Sequence, residues 1–431
     1  MSRERRPGRN VATDLRGVTR LAVEATTGVA GIVEDMQGPT LGVAGLVHLG
    51  IRGVTRLVGG GIDAVLAPLV PLLGRTRSGP QVEAALAALN GVVGDHLEAT
   101  GNPLAIEMRL RRDGVPLELD RDRLAGALPD ASGRILVLVH GSCMNDLRWS
   151  RNGHEHGAAL ARDLGHTPLH LHYNSGLHVS RNGKAFDAIL ERLVDAWPVP
   201  VEELVLLCHS MGGLVARSAF HEGARAGHGW TRLLRRMVFL GTPHHGAPAE
   251  RLGNWVTVAL ATAPFTGPLA RLGKIRSAGV TDLRHGNLLD EDWEGRDRFR
   301  HGPDRRRPVP LPRGVKCLAI AASKAAGPDA PARGDGLVPV DSALGRHADP
   351  SMSLGFGERG RWVAYRTDHF GLLDRPEVYA RIHDWLAGPT PRAAEPDTRA
   401  TTPRRGRSRP RRGPRDGPPA RTPRRPGGSG T

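Results

Sequence analysis

The chain has 431 residues, 39% hydrophobic and 24% charged, with 60 Lys and Arg against 44 Asp and Glu for a formal charge of +16; that length exceeds the usual single domain and can bury a large core. Residues 391–431 hold 12 Arg and 3 acids, +9 of the total, so the body is only mildly basic and its charge does not mark a nucleic-acid surface. Three cysteines, Cys143, Cys208 and Cys317, exclude a disulfide framework, and the amino terminus carries charge with no apolar run behind it, so the expectation is a cytoplasmic protein in a reducing compartment.

Residues 1–102 are rich in Gly, Ala, Val and Leu, and LRGVTRL at 15–21 recurs as IRGVTRL at 51–57. Around the second copy, Val47, Ile51, Val54, Val58, Ile62 and Val65 recur at three- and four-residue steps with Arg52, Arg56 and Asp63 opposite, the pattern of an amphipathic helix. Those charges interrupt any uncharged run of the roughly 18 residues that a membrane span needs. Such a pair of helices either packs on the body, as apolar stripes usually do, or makes peripheral contact with a membrane. A further helix is expected over Val82–Leu89.

Strands begin at Pro103. Leu104–Arg111 and Val115–Leu119, separated by Asp113 and Gly114, read as a hairpin. Ile135–Val139 is an apolar strand ending in His140 and Gly141. Helix over His154–Leu164, strand over Pro168–Tyr173, helix over Ala185–Trp197 and strand over Leu204–Leu207 follow. Beyond a turn at Ser210 lie the helical positions Leu214, Val215 and Ala219, then the strand Met237–Leu240 and GTPHHG at 241–246. Residues 247–313 have little strand character and read as a cap. Val315–Ala321 and Trp362–Tyr365 are the last strands. A final helix carries Val378, Ile382 and Leu386, with a capping box expected from Asp374 and Glu377. Residues 389–431 collapse into Pro, Arg, Gly and Thr, the composition of a disordered tail. Its arginines lack the interleaved aromatics that nucleic-acid binding uses, which argues against that partner. Alternating strand and helix gives an α/β class with a mostly parallel sheet, in a catalytic domain over 103–388.

Chemistry concentrates in CHSMGGLVARS at 208–218. A nucleophile elbow needs small residues two before and two after the serine, because strand and helix approach closely there. Gly212 meets that demand, and Cys208 stands where the pattern has Gly. The competing explanation of Ser210 is an ordinary helix N-cap. A serine nucleophile also needs a base and an acid to orient it.

This stretch resembles the GHSMGG elbow of α/β-hydrolase lipases and esterases. GTPHHG and the later DGLVP at 335–339 are similar to segments of bacterial lipases and of the hydrolase domain of GPI inositol-deacylase-like proteins. The resemblance implies an α/β-hydrolase fold with a helical cap, and hydrolysis of carboxylic esters through a Ser-His-Asp triad without metal or organic cofactor. Family chain order is serine, acid, histidine. On that order Ser210 is the nucleophile and His369, between the last strand and the last helix, is the base. Asp335 is the favoured acid, with Asp341 and Asp368 as competitors. The N–H groups of Met211 and Ser142 would form the oxyanion hole, and Trp255 and Phe265 in the cap would line an apolar acyl or alcohol site. His244 and His245 either line the site or shape a turn. The alternating pairs His154/His156 and His170/His172 suggest a metal only weakly, since no cysteine or carboxylate cluster completes a ligand set. Two rivals stay open: a non-catalytic scaffold for a lipid or polymer surface, and a small-ester or thioester hydrolase.

Overall fold

Apolar runs set the architecture. In a computed structural model, which describes residues 79–248, 277–297, 303–331 and 334–388, they become β1 (Arg109–Arg112), β2 (Val115–Pro116), β3 (Arg134–Val139), β4 (Thr167–His172), β5 (Glu203–His209), β6 (Leu234–Leu240), β7 (Lys316–Ala322) and β8 (Arg361–Ala364). Among the described residues these make one eight-stranded sheet in the order β2-β1-β4-β3-β5-β6-β7-β8. Every neighbouring pair from β4 to β8 is parallel; only β1 runs antiparallel, to β2 and to β4. The class expected from the sequence is therefore correct. The amphipathic repeat, the basic tail and the cap positions Trp255 and Phe265 lie outside the described residues.

Both faces of the central strands are buried, as a helix-covered parallel sheet requires. Alternation along the strand separates two cores. Ile135, Val137, Val139, Leu204, Leu206 and Cys208 face one of them, whereas Leu136, Leu138, Val205 and Leu207 face the other. The described helices of more than five residues are α1 (Pro80–Ala99), α2 (Arg121–Ala127), α3 (His156–Leu164), α4 (Val179–Ala196), α5 (Met211–Ala226) and α6 (Pro376–Ala387). Helices α4 and α5 cover the Cys208 side with Phe186, Leu190, Leu214 and Val215. Helices α3 and α6 cover the opposite side with Leu160, Val378, Ile382 and Leu386.

Some local expectations needed correction. The hairpin turn forms at Asp113 (φ 52°) and Gly114 (φ 75°), but Leu104–Met108 is not strand, because Asn90 of α1 takes over that segment's main chain: its Nδ2 donates to Leu104 O and its Oδ1 accepts from Ile106 N, both at 2.9 Å. Helix α1 is more than twice the expected length and bends at Val93 (φ −135°, ψ 18°). The capping box at Asp374 does not form. Arg375 is the N-cap with no side-chain cap bond, and Asp374 accepts from Arg151 Nε at 3.0 Å instead. Helix α2 was not anticipated, although Asp120 caps it by accepting from the N–H groups of Asp122 and Arg123. Among the described residues no helix is long and apolar enough to cross a membrane.

Candidate active site

Loops at the carboxyl ends of the parallel strands gather the reactive side chains: Gly141–Ser142 after β3, Ser210 after β5, Asp335 after β7 and His369 after β8. Ser210 has φ 57° and ψ −126°, a region in which a non-glycine residue stores strain of order 1–3 kcal/mol. Its N–H donates to Leu240 O at 2.8 Å, which fixes the turn on the neighbouring strand. Although it occupies the N-cap position of α5, its side chain makes no capping hydrogen bond. The ordinary structural reason for a serine here is thus missing. Gly212 is required by space: a Cβ there would stand 2.6 Å from His140 O and closer still to Val139 O. Cys208, in place of the first glycine, is buried in the core beneath α4 and α5.

His369 Nδ1 lies 2.7 Å from Asp335 Oδ2, and both side chains are buried. Asp335 Oδ1 accepts from the N–H groups of Leu337 and Val338, both at 2.8 Å. The two rival acids are engaged elsewhere. Asp341 is exposed beside Arg346 at 3.3 Å, and Asp368 Oδ1 accepts from Gly371 N at 2.7 Å. A Cβ added to Gly241 would lie 3.1 Å from both Cε1 and Nδ1 of His369. Imidazole and serine therefore converge on the Leu240–Gly241 step. The buried Ser210 hydroxyl makes no hydrogen bond to a described residue.

Two main-chain donors border the serine. Met211 opens α5, where the helix dipole is positive and N–H groups lack intrahelical partners. A Cβ on Gly141 would lie 2.9 Å from Ser210 Cβ, so the loop after β3 rests directly on Ser210. In that loop the Cys143 N–H is taken by Ser175 Oγ at 2.9 Å and the Met144 N–H by Gly141 O at 3.4 Å. The N–H groups of Ser142 and Met211 donate to no described residue.

One participant was missed. His209, the last residue of β5, is buried and its Nε2 donates to His369 O at 3.1 Å, with the two rings 4.7 Å apart. Burial above all, then the neighbouring His369, holds its pKa well below the ordinary histidine value, so it stays a neutral donor. The available signal was strand alternation: with Cys208 facing one core, residue 209 must face the other, where the His369 loop arrives.

The remaining histidines have local duties. His154 Nε2 lies 2.8 Å from His156 Nδ1, and His156 Nε2 donates to Leu372 O at 3.0 Å. His170 faces Glu155 at 3.4 Å and His172 faces Asp146 at 3.1 Å. His244 is buried against Phe239 and Phe356, while the His245 N–H donates to Ser342 Oγ at 3.1 Å. Among the described residues no group of three or more His, Cys, Asp or Glu could hold a metal ion.

A family model described as PGAP1-like alpha/beta domain matches residues 181–304, the span that holds the elbow, β6 and GTPHHG. The chain has an α/β-hydrolase fold. Solved structures similar to this chain include the mature Bacillus licheniformis lipase BlEst2 (20% identity, 65% of this chain and 97% of that one, TM-score 0.39). Two others are the Pyrococcus furiosus esterase Pf2001 (16%, 60% and 81%, TM-score 0.34) and Aspergillus fumigatus lipase B (11%, 78% and 82%, TM-score 0.37). Among curated proteins, none matches.

Proposed function

We propose that this chain is a serine esterase acting on carboxylic esters with a substantial apolar part. One observation carries the reading: a buried Asp335–His369 pair, 2.7 Å apart, borders the same Leu240–Gly241 step as a strained serine that caps nothing. Ser210 Oγ attacks the ester carbonyl while His369 Nε2 accepts its proton, and the carbonyl oxygen becomes an oxyanion held by the N–H groups of Met211 and Ser142. Collapse of that intermediate breaks the bond to the alcohol, which leaves with the proton from His369. Water, deprotonated by the same imidazole, then releases the acid and restores the serine. Asp335 keeps Nδ1 protonated, so that Nε2 takes up and returns the proton, and it stabilises the imidazolium in between. None of these steps calls on a metal or an organic cofactor. A bond from nucleophile to base commonly closes only in the substrate complex, so the unbonded Ser210 hydroxyl is compatible with this role. The apolar substrate class is supported by the cap sequence, with Trp255, Val258, Leu260 and Phe265 between β6 and β7.

Replacing Ser210 by alanine tests the proposal. Turnover of a p-nitrophenyl ester should fall by at least about a thousandfold with the thermal melt unchanged, and a fluorophosphonate probe should label Ser210 in the parent chain. Near-parental turnover, or labelling of another serine, would overturn it.

A further inference from the structure

The Ser142 donor belongs to a loop that does not hold its own shape. Cys143, the next residue, has φ 59°, a left-handed conformation that non-glycine residues adopt only when their surroundings impose it. Two neighbours impose it. From one side the Ser175 hydroxyl accepts the Cys143 N–H at 2.9 Å. From the other, α1 comes so close that a Cβ on Gly91 would stand 2.7 Å from Cys143 Cα.

Both neighbours are themselves anchored. Ser175 follows Asn174, whose Nδ2 donates to Gly94 O of α1 at 2.9 Å and whose Oδ1 accepts from Gly176 N at 3.0 Å. Gly91 O accepts from Ser277 Oγ at 2.7 Å. Helix α1, the Asn174–Gly176 turn and the segment entering at Ser277 thus form a rigid seat in which Cys143 is gripped. The peptide plane between Ser142 and Cys143 carries the N–H that Ser175 holds. The Ser142 N–H sits in the preceding peptide, joined to that plane at Ser142 Cα, so releasing the Cys143 N–H frees the dihedrals on which the orientation of the Ser142 N–H depends.

We propose that Ser175 is a positioning residue for the oxyanion hole, and that Gly91 of α1 is the wall against which it presses the loop. The inference rests on the serine-esterase reading. It deepens that reading by making an element outside the parallel sheet part of the apparatus that stabilises the transition state. Neither residue touches substrate.

The experiment compares the full chain with Ser175→Ala and Gly91→Ala on a p-nitrophenyl ester, with active sites counted by the endpoint of fluorophosphonate labelling, so that unfolded molecules drop out. Losing one oxyanion donor outright costs about 10²–10³ in kcat, so a displaced donor should lower kcat per labelled site about tenfold to a hundredfold with KM nearly constant. Affinity for a trifluoromethyl ketone, which becomes an oxyanion on Ser210, should weaken by the same factor. Ser132→Ala supplies the control, because that hydroxyl binds Gly165 O at the opposite end of β3; its kcat should be unchanged. If both variants keep the parental kcat per site, or lose activity only through fewer labelled sites, the inference falls while the esterase reading stands. If the parent itself is not labelled at Ser210, both fall.

Discussion

Asp335 divides its carboxylate between two duties: Oδ2 faces His369 Nδ1 at 2.7 Å, while Oδ1 takes the N–H groups of Leu337 and Val338. An amide at this position cannot serve both, since its NH2 must confront either those two donors or the imidazole N–H. Asp335→Asn should therefore lower kcat by at least about a hundredfold, through a misoriented or wrong-tautomer base. Asp341→Asn, on an exposed side chain, should change kcat less than about twofold. Steady-state kinetics on one ester compare the pair; a larger loss at 341 would move the acid there.

Stability and activity should oppose each other at Ser210. With φ at 57° and ψ at −126°, any side chain at 210 is strained and glycine is not. Ser210→Gly should be inactive yet more stable than Ser210→Ala by about 1 kcal/mol, after allowing for the greater freedom of glycine in the unfolded chain. Urea unfolding of the two inactive variants measures this. Equal midpoints would mean that the elbow stores no strain.

Acid should weaken the fold before any carboxylate titrates. Burial holds His156 at a pKa of about 4 and His140 at about 3, against about 6.5 in an unfolded chain. Between pH 6.5 and 4 the unfolded state binds protons that these imidazoles refuse, so stability is full above pH 7 and declines as pH falls through that window. Each buried histidine contributes on the order of 1 kcal/mol per pH unit to the decline. Unfolding free energies at pH 7.5, 6 and 5 should show it, and His156→Asn should lessen the slope. A flat profile would contradict the burial of neutral imidazoles.

Catalytic efficiency should climb as the ester chain lengthens from two to about eight carbons, because each methylene buried against the cap gains roughly 0.8 kcal/mol. Alanine at Trp255 and Phe265 should flatten that rise and spare short esters. A preference for acetate esters in parent and variants alike would point to a small-ester hydrolase.

The parallel strands were legible because a strand covered on both faces must be apolar at every position, as in Ile135–Val139 and Leu204–Cys208. The elbow was legible because its steric demand falls on fixed offsets from one serine. Asp335 could be preferred over its neighbours from family chain order, and the geometry brings it, and not Asp341 or Asp368, onto His369. What escaped notice depends on partners distant in sequence. His209 binds a carbonyl 160 residues away. Asn90 binds the main chain of a segment that would otherwise pass for strand. Nothing local to Ser175 announces that it grips Cys143. Asp374 looked like a cap and was claimed by Arg151, 223 residues distant.

Helix α1 also has a consequence for synthesis of the chain. Nearly every side chain from Val82 to Val93 is buried, yet groups that bind it are made later, among them Ser277 and Ala278, 186 and 183 residues after their partners Gly91 and Asp95. At about 5–20 residues per second on the ribosome, the helix waits on the order of ten to forty seconds for these two contacts. Until then the helix lacks part of its native cover, and the Gly91 main chain that presses on Cys143 is not yet held by Ser277. On the serine-esterase reading, the proposed nucleophile at 210 is therefore made before the wall behind its neighbouring loop is locked, and the proposed base at 369 is made after both.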